Sequence, residues 1–251
     1  MARLGLGVGL TRRGGGGGGA AASFWTPYLS NLARLHDANE DASLSTATGS
    51  AVTSWLDMKQ GLAPYVTQAG GGITVEAVGS QRYVNSSGLA GMVAASNTNL
   101  RGTDTFILLR IPETAARSVA SSPTTSPNAR VDVNSANQAM LLASPAPYGS
   151  VSILFLRGGN LTPGTWHVFR MTLTETSGAK LYVNGSSVQE ITGTYGGTDP
   201  FNVSGLFTRN GGSPVDAAFA VIAVFEGVLG VDLASSLTAS LIARRDILRG
   251  V

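Results

Sequence analysis

Asn184-Gly185 stands between two runs that alternate apolar and polar residues, 179–183 and 187–191. Both turn residues tolerate positive φ, which the tight turns between antiparallel strands require, so this arrangement predicts a β-hairpin. The stretch 164–174 upstream alternates in the same way. Two other runs do not alternate. Thr105-Phe106-Ile107-Leu108-Leu109-Arg110-Ile111 and the AAFAVIAVFE run at 217–226 are apolar throughout. Runs of that kind predict strands covered on both faces. Further strands are expected at 31–37, 51–57, 129–133, 138–143 and 150–156. The Ser-, Thr-, Pro- and Ala-rich stretch 112–128 predicts a long surface loop.

The period changes near the C-terminus. Leu233, Leu237 and Leu241 recur every fourth residue, and Val231, Ile242 and Leu248 extend the same stripe. Asp232 is expected to cap this helix, and Arg244 and Arg245 suit the negative end of its dipole. Many short strands with frequent turn signals and one terminal helix predict an all-β fold, an antiparallel β-sandwich.

Composition narrows the chemistry. The 251 residues suffice for one large sandwich. There is no cysteine, which removes disulfides, thiolate metal sites and cysteine nucleophiles together. His36 and His167 are the two histidines, too few for a three-histidine zinc site. No segment approaches the roughly 18–20 apolar residues that membrane insertion by a helix needs. A net charge of +2, with the arginines scattered along the chain, gives no basis for nucleic-acid binding.

The N-terminus is of another kind. Leu4, Leu6, Val8 and Leu10 alternate with glycine, Arg12 and Arg13 follow, and then six glycines occupy 14–19. The apolar run is too short and too glycine-rich for a signal peptide, and its glycine spacing is wrong for a phosphate loop. In an extended strand one face would carry the four apolar side chains and the other would be bare backbone. Fixing six glycines costs backbone entropy that a partner surface can offset. Residues 1–22 are therefore expected to be an extended docking arm, with Leu4, Leu6, Val8, Leu10, Arg12 and Arg13 as its assembly contacts. Residues 23–251 are expected to form the sandwich.

Two stretches of the sandwich carry a family likeness. Thr165-Trp166-His167-Val168, followed after a strand and a turn by Leu181-Tyr182-Val183-Asn184-Gly185, resembles a strand pair of the concanavalin A-like (laminin G-like) lectin and glucanase superfamily. Leu35-His36-Asp37-Ala38 and Val52-Thr53-Ser54-Trp55-Leu56-Asp57 are similar to the opening of such domains in phages and bacteria. The resemblance spans roughly 31–249 and implies a jelly-roll sandwich of lectin-like function. After Asp57 the sequence departs from the expected Gly/Asn-rich turn.

Residue by residue, Trp166 is expected to be a core or inter-sheet anchor, with a sugar-stacking platform as the alternative. Trp25 and Trp55 are read in the same way. His167 is expected to decorate the opposite, solvent-facing side of its strand, and Asn184-Gly185 to serve the turn alone. The acidic group Asp37, Glu40 and Asp41 predicts a solvated turn. Calcium is the alternative ligand there, with Asp37, Asp41 and Asp57 as candidates and Asn97 or Asn99 as helpers. No other cofactor is expected. A retaining glucanase needs paired carboxylates on one strand, and the E-x-D-x-E and E-x-D-x-x-E patterns are absent, as are G-x-S-x-G and H-E-x-x-H.

The expectation is thus a non-enzymatic structural component of a tailed-phage virion or phage-like particle: a capsid decoration, spike or tail fibre assembled in the host cytoplasm. It would dock on other virion proteins through residues 1–22 and form a homo-oligomer, taken as a trimer. A host surface polysaccharide is its expected further partner. A carbohydrate-binding lectin module is the alternative, and a glycan hydrolase the third.

Overall fold

The two apolar runs set the architecture. They form β7 (Thr103–Arg110) and β16 (Asp216–Glu226), neighbours at the centre of one sheet. In β16 Phe219, Ile222 and Val224 face one layer, while Ala218, Val221, Ala223 and Phe225 face another. A strand covered on both sides has no solvated face on which to place polar residues, which is why neither run alternates.

The computed structural model describes residues 24–40, 43–44, 46–59, 63–111, 117–121, 128–133, 138–144, 154–175, 177–194, 202–207 and 214–251. The first sheet runs β14 (Ser186–Thr194), β13 (Ser177–Val183), β12 (Trp166–Leu173), β7, β16, β5 (Gln81–Ser87) and β4 (Ile73–Val78). β1 (Leu32–Asp37) lies beside the C-terminal half of β16, and β5 beside its N-terminal end. The second sheet runs β11 (Leu154–Gly158), β10 (Ala139–Ser144), β9 (Asn128–Val133), β8 (Arg117–Ser121), β15 (Asn202–Leu206), β6 (Met92–Asn99), β3 (Tyr65–Thr67) and β2 (Ser54–Trp55). Among the described strands pairing is antiparallel except between β15 and β9, where Asn202 meets Asn128 in parallel; Thr103 of β7 also bridges Gly227 in parallel. The expected antiparallel sandwich is the observed fold.

Between the sheets lies one core, which includes Trp55, Tyr65, Met92, Leu109, Phe169, Leu181 and Phe207. A second core covers the outer face of the first sheet. There the helix α1 (Val231–Arg249) buries Ala234, Leu237, Leu241 and Leu248 against Leu108, Trp166 and Val168, and Trp25 and Tyr28 join the same cluster. The molecule is therefore three layers deep, with the first sheet in the middle.

The predicted hairpin is β13–β14. Asn184 and Gly185 take φ of 51° and 85°, the mirror-turn conformation expected of them. Asn184 also does more than turn. Its Oδ1 accepts from Val168 N at 3.0 Å, and its Nδ2 donates to His167 Nδ1 at 3.1 Å.

Several expectations need correction. His167 is not surface decoration but buried, 2% exposed, because Asn184 and Thr165 satisfy its ring between the sheet and the loop before β12. Trp166 is core, yet it anchors the layer beneath α1 rather than the space between the sheets. Strand β8 runs inside the stretch read as a loop, and only Ser54–Trp55 of 51–57 forms a strand. The helix begins after Gly230, with Asp232 inside its first turn, so Asp232 is not the cap. Val231 and Leu233 are exposed, and Ala234 and Arg244 hold the buried stripe in their place. The arm residues Leu4, Leu6, Val8, Leu10, Arg12 and Arg13 lie outside the described residues.

Candidate functional site

The acidic candidates come first. Asp37, at the end of β1, is buried, and its carboxylate accepts from Arg244 Nη1 at 2.7 Å and Nη2 at 2.8 Å. Trp25 Nε1 and Asn39 N donate to the same group. Burial pushes the Asp37 pKa up, and the Arg244 charge and these hydrogen bonds outweigh it, holding it below the usual carboxylate range. A guanidinium already occupies the place a cation would take. Asp57 Oδ1 accepts from Leu35 N at 2.9 Å and Lys59 N at 3.0 Å, so it ties β1 to the loop after β2. Asp41 lies outside the described residues. Among the described residues no three His, Asp or Glu side chains gather as a metal set.

Beside β1 the inner layer holds a polar cluster. Arg34 is buried, donating from Nε to His36 Nε2 at 2.9 Å and from Nη2 to the Ala63 carbonyl at 2.7 Å. It also contacts Thr98 and lies 4.6 Å from the Tyr65 ring centroid. Receiving that proton at Nε2 fixes His36 as the Nδ1–H tautomer, and burial, then the Arg34 charge, lower its pKa well below the usual value. A cavity of about 20 Å³ adjoins the cluster, room for about one water molecule and no larger ligand.

Two larger hollows lie on the outer face of the first sheet, flanking α1. One, of about 630 Å³, runs between α1 and strands β12 and β13. Its aromatic ring is Tyr182, but Arg170 stacks 4.9 Å from that ring's centroid and 5.3 Å from that of Phe106. Arg170 is fixed there by a paired contact with buried Asp104, at 2.9 and 2.7 Å. One face of the ring is therefore already occupied.

The other hollow, a cleft of about 470 Å³, opens at the C-terminal end of α1. Strand register builds it. Trp166 pairs with Arg110, Arg110 with Ala218, and Ala218 with Asn85, so a single row crosses β12, β7, β16 and β5. Ala218 is small enough for Arg110 to reach over it, and Arg110 Nη2 donates to Asn85 Oδ1 at 2.9 Å and Asp216 Oδ1 at 3.0 Å. Tyr83 lies two positions before Asn85, on the same face. Its ring meets Trp166 edge-on, with centroids 5.0 Å apart and planes at 72°. Burial raises its pKa, with Arg110 opposing, so the hydroxyl remains a donor. Arg249, in the last turn of α1, donates from Nε and Nη2 to the Trp166 carbonyl at 3.0 and 2.5 Å. Thr162, Gly164 and Thr165 complete the rim.

The sequence did not single out Tyr83 or Arg110. The alternation Gln81, Tyr83, Asn85 after the Gly79-Ser80 turn was the available signal, and it shows one face of β5 to be polar and aromatic. Trp166 was singled out, and it forms the floor of the cleft.

No family model matches the sequence, and no curated protein does. Solved structures do resemble it. Domain 4 of AbnA, a GH43 extracellular arabinanase from Geobacillus stearothermophilus, in complex with arabinotriose, aligns at TM-score 0.55 and 14% identity, over 86% of this chain and 98% of that one. The binding domain of botulinum neurotoxin DC, in complex with rat synaptotagmin II, aligns at TM-score 0.61 and 10% identity, over 85% and 52%. A structure of botulinum neurotoxin type C, which depends on interaction with two ganglioside molecules to get into cells, aligns at TM-score 0.54 and 12% identity, over 76% and 51%. The chain thus spans about half of each toxin structure and nearly all of the arabinanase domain. At these identities the likeness establishes the fold alone: an antiparallel β-sandwich.

Proposed function

We propose that this protein is a non-catalytic, lectin-like module that binds a saccharide in the Tyr83 cleft. The observation that carries the reading is the row Trp166–Arg110–Ala218–Asn85 with Tyr83 beside it. Sugars present an apolar C–H face and a rim of hydroxyls. An aromatic ring suits the first, and the planar donor fork of Arg110, held from behind by Asn85 and Asp216, suits the second. The cleft volume lies in the range of small-ligand sites. No carboxylate is among its described lining residues, where glycoside hydrolysis would need an acid/base pair, and this supports binding over cleavage. Arabinotriose in the structure of the AbnA domain supports the same reading.

The test is an array of bacterial surface polysaccharides probed with the full chain. Binding is expected, and Tyr83→Ala should weaken it at least tenfold with the circular dichroism spectrum unchanged. No binding at millimolar oligosaccharide would overturn the reading. Release of shorter fragments on incubation would replace it with hydrolysis.

The setting we propose is a tailed-phage or phage-like particle, in which residues 1–22 dock on other virion proteins and the sandwich is displayed as an oligomer. The alternation of Leu4, Leu6, Val8 and Leu10 with glycine supports it. Deleting 1–22 should abolish incorporation into particles and leave a folded, glycan-binding body. Normal incorporation of the truncated chain would count decisively against the docking arm.

A further inference from the structure

We infer that the Tyr83 cleft selects a saccharide bearing a carboxylate, of the uronic or sialic acid class, over its neutral counterpart. The inference rests on the glycan reading above and deepens it. Two guanidiniums, Arg110 and Arg249, line the cleft, and no carboxylate is among its described lining residues. Arg249 is held in place because Nε and Nη2 both reach the Trp166 carbonyl, and its Nη1 has no acceptor among the described residues. Arg110 engages its protein partners through Nη2 alone, so Nε and Nη1 likewise have no acceptor among the described residues. Its ion-pair partner Asp216 is 54% exposed at the side chain, and an exposed pair of that kind neutralises little.

Positive charge is concentrated at this end of the helix. Arg245 lies close enough to Arg249 to act on it. Burial and then Arg245 lower the Arg249 pKa, while Asp246, which is paired with Arg245 at 2.6 Å, opposes them. A carboxylate entering the cleft would relieve that crowding. A guanidinium presents parallel N–H donors that match a carboxylate's two oxygens, a geometry that hydroxyls do not share. The cleft therefore combines two readers: the Tyr83 ring for the sugar's apolar face, and the arginine pair for its acid group. A bare anion would leave the ring and most of the volume unused.

The test uses an array of acidic bacterial polysaccharides, each beside its carboxyl-reduced form, with the full-length protein. The acidic form should bind about tenfold more tightly, the increment of one charge-assisted contact. Raising the salt from about 0.05 to 0.5 M should weaken the acidic form selectively, since screening acts on charge. Arg249→Gln should bring the two forms within about twofold while neutral binding persists, and Tyr83→Ala should weaken both. Equal binding of the two forms by the wild type overturns this inference and leaves the glycan reading intact. Absence of binding to every member overturns the glycan reading, and the inference with it.

Discussion

Arg244 and Asp37, 207 positions apart in the sequence, form a two-pronged buried ion pair that fastens α1 to β1. Arg244 Nε also donates to Gln81 Oε1 at 2.9 Å, so the guanidinium joins β1, β5 and the helix at one point. Removing either partner strands a buried charge. Arg244→Met should cost about 3–5 kcal/mol in urea unfolding. Asp37→Leu combined with Arg244→Met should recover a large part of that loss. If the double variant is no more stable than either single one, the pair does not set the cost. Because Asp37 is held below its ordinary pKa of 3.8, its contribution is complete above about pH 4 and is lost as the pH falls through the folded value. In Asp37→Asn that acid limb should flatten.

The two histidines add a separate pH dependence at higher pH. Burial, opposed by the Thr162 backbone and reinforced by Arg249 and Arg245, lowers the His167 pKa to about 4. The unfolded chain takes up this proton near pH 6.5, whereas the folded chain does so only near 4. Stability therefore falls as the pH drops below about 6.5, and the loss from this residue levels off below 4. By pH 5 it amounts to about 2 kcal/mol. His36, lowered in the same direction, adds to it. Urea midpoints for His167→Gln should show a shallower slope between pH 7 and 5 than the wild type. An unchanged slope would show that His167 titrates normally in the folded protein.

The 184–185 turn separates two roles that its sequence merges. Gly185 sits at φ 85°, where any Cβ is strained, and an added Cβ would also lie 3.4 Å from Ile242 and Thr238. Gly185→Ala should therefore lose about 1–2 kcal/mol. Asn184→Gly keeps the turn conformation but removes the acceptor for Val168 N and the donor to His167. It should lose about 1–3 kcal/mol, through unpaired buried groups rather than through backbone strain. His167 should then titrate differently by NMR. A silent Asn184→Gly would mean that the side-chain bonds contribute nothing.

These residues also mark the limits of the sequence. β7, β16 and the β13–β14 hairpin were legible because burial on two faces, or a turn with positive φ, leaves a local mark. β4 and β5 were not, since Gln81, Arg82, Asn85 and Ser86 blur the apolar pattern of β5 although Val84 and Tyr83 face opposite layers. The α1 stripe was placed out of phase at its start. Leu233 looks like a core residue, but Arg244 must reach Asp37, and that long-range pair helps set the rotation that buries Ala234 and exposes Leu233. Asp37 itself read as a turn acid because its partner lies at the far end of the chain. The cleft depends wholly on register across four strands, information that no single segment contains.

Trp25 tests where the folded body begins. It lies just after the expected arm, is fully buried, and donates from Nε1 to Asp37 Oδ2 at 2.8 Å while packing on Phe24 and Tyr28. Its indole thus serves the same carboxylate that anchors α1. Trp25→Phe keeps an aromatic ring but removes the donor and part of the packed volume, so it should lose about 1–3 kcal/mol. Truncation to Ser23 removes none of these contacts and should leave the urea midpoint within about 0.5 kcal/mol of the full chain. Truncation to Thr26 should lower it by more than the single substitution does. If removing 1–22 alone destabilised the protein as much as Trp25→Phe, the arm would be part of the body's own packing, and docking on other chains would lose its rationale.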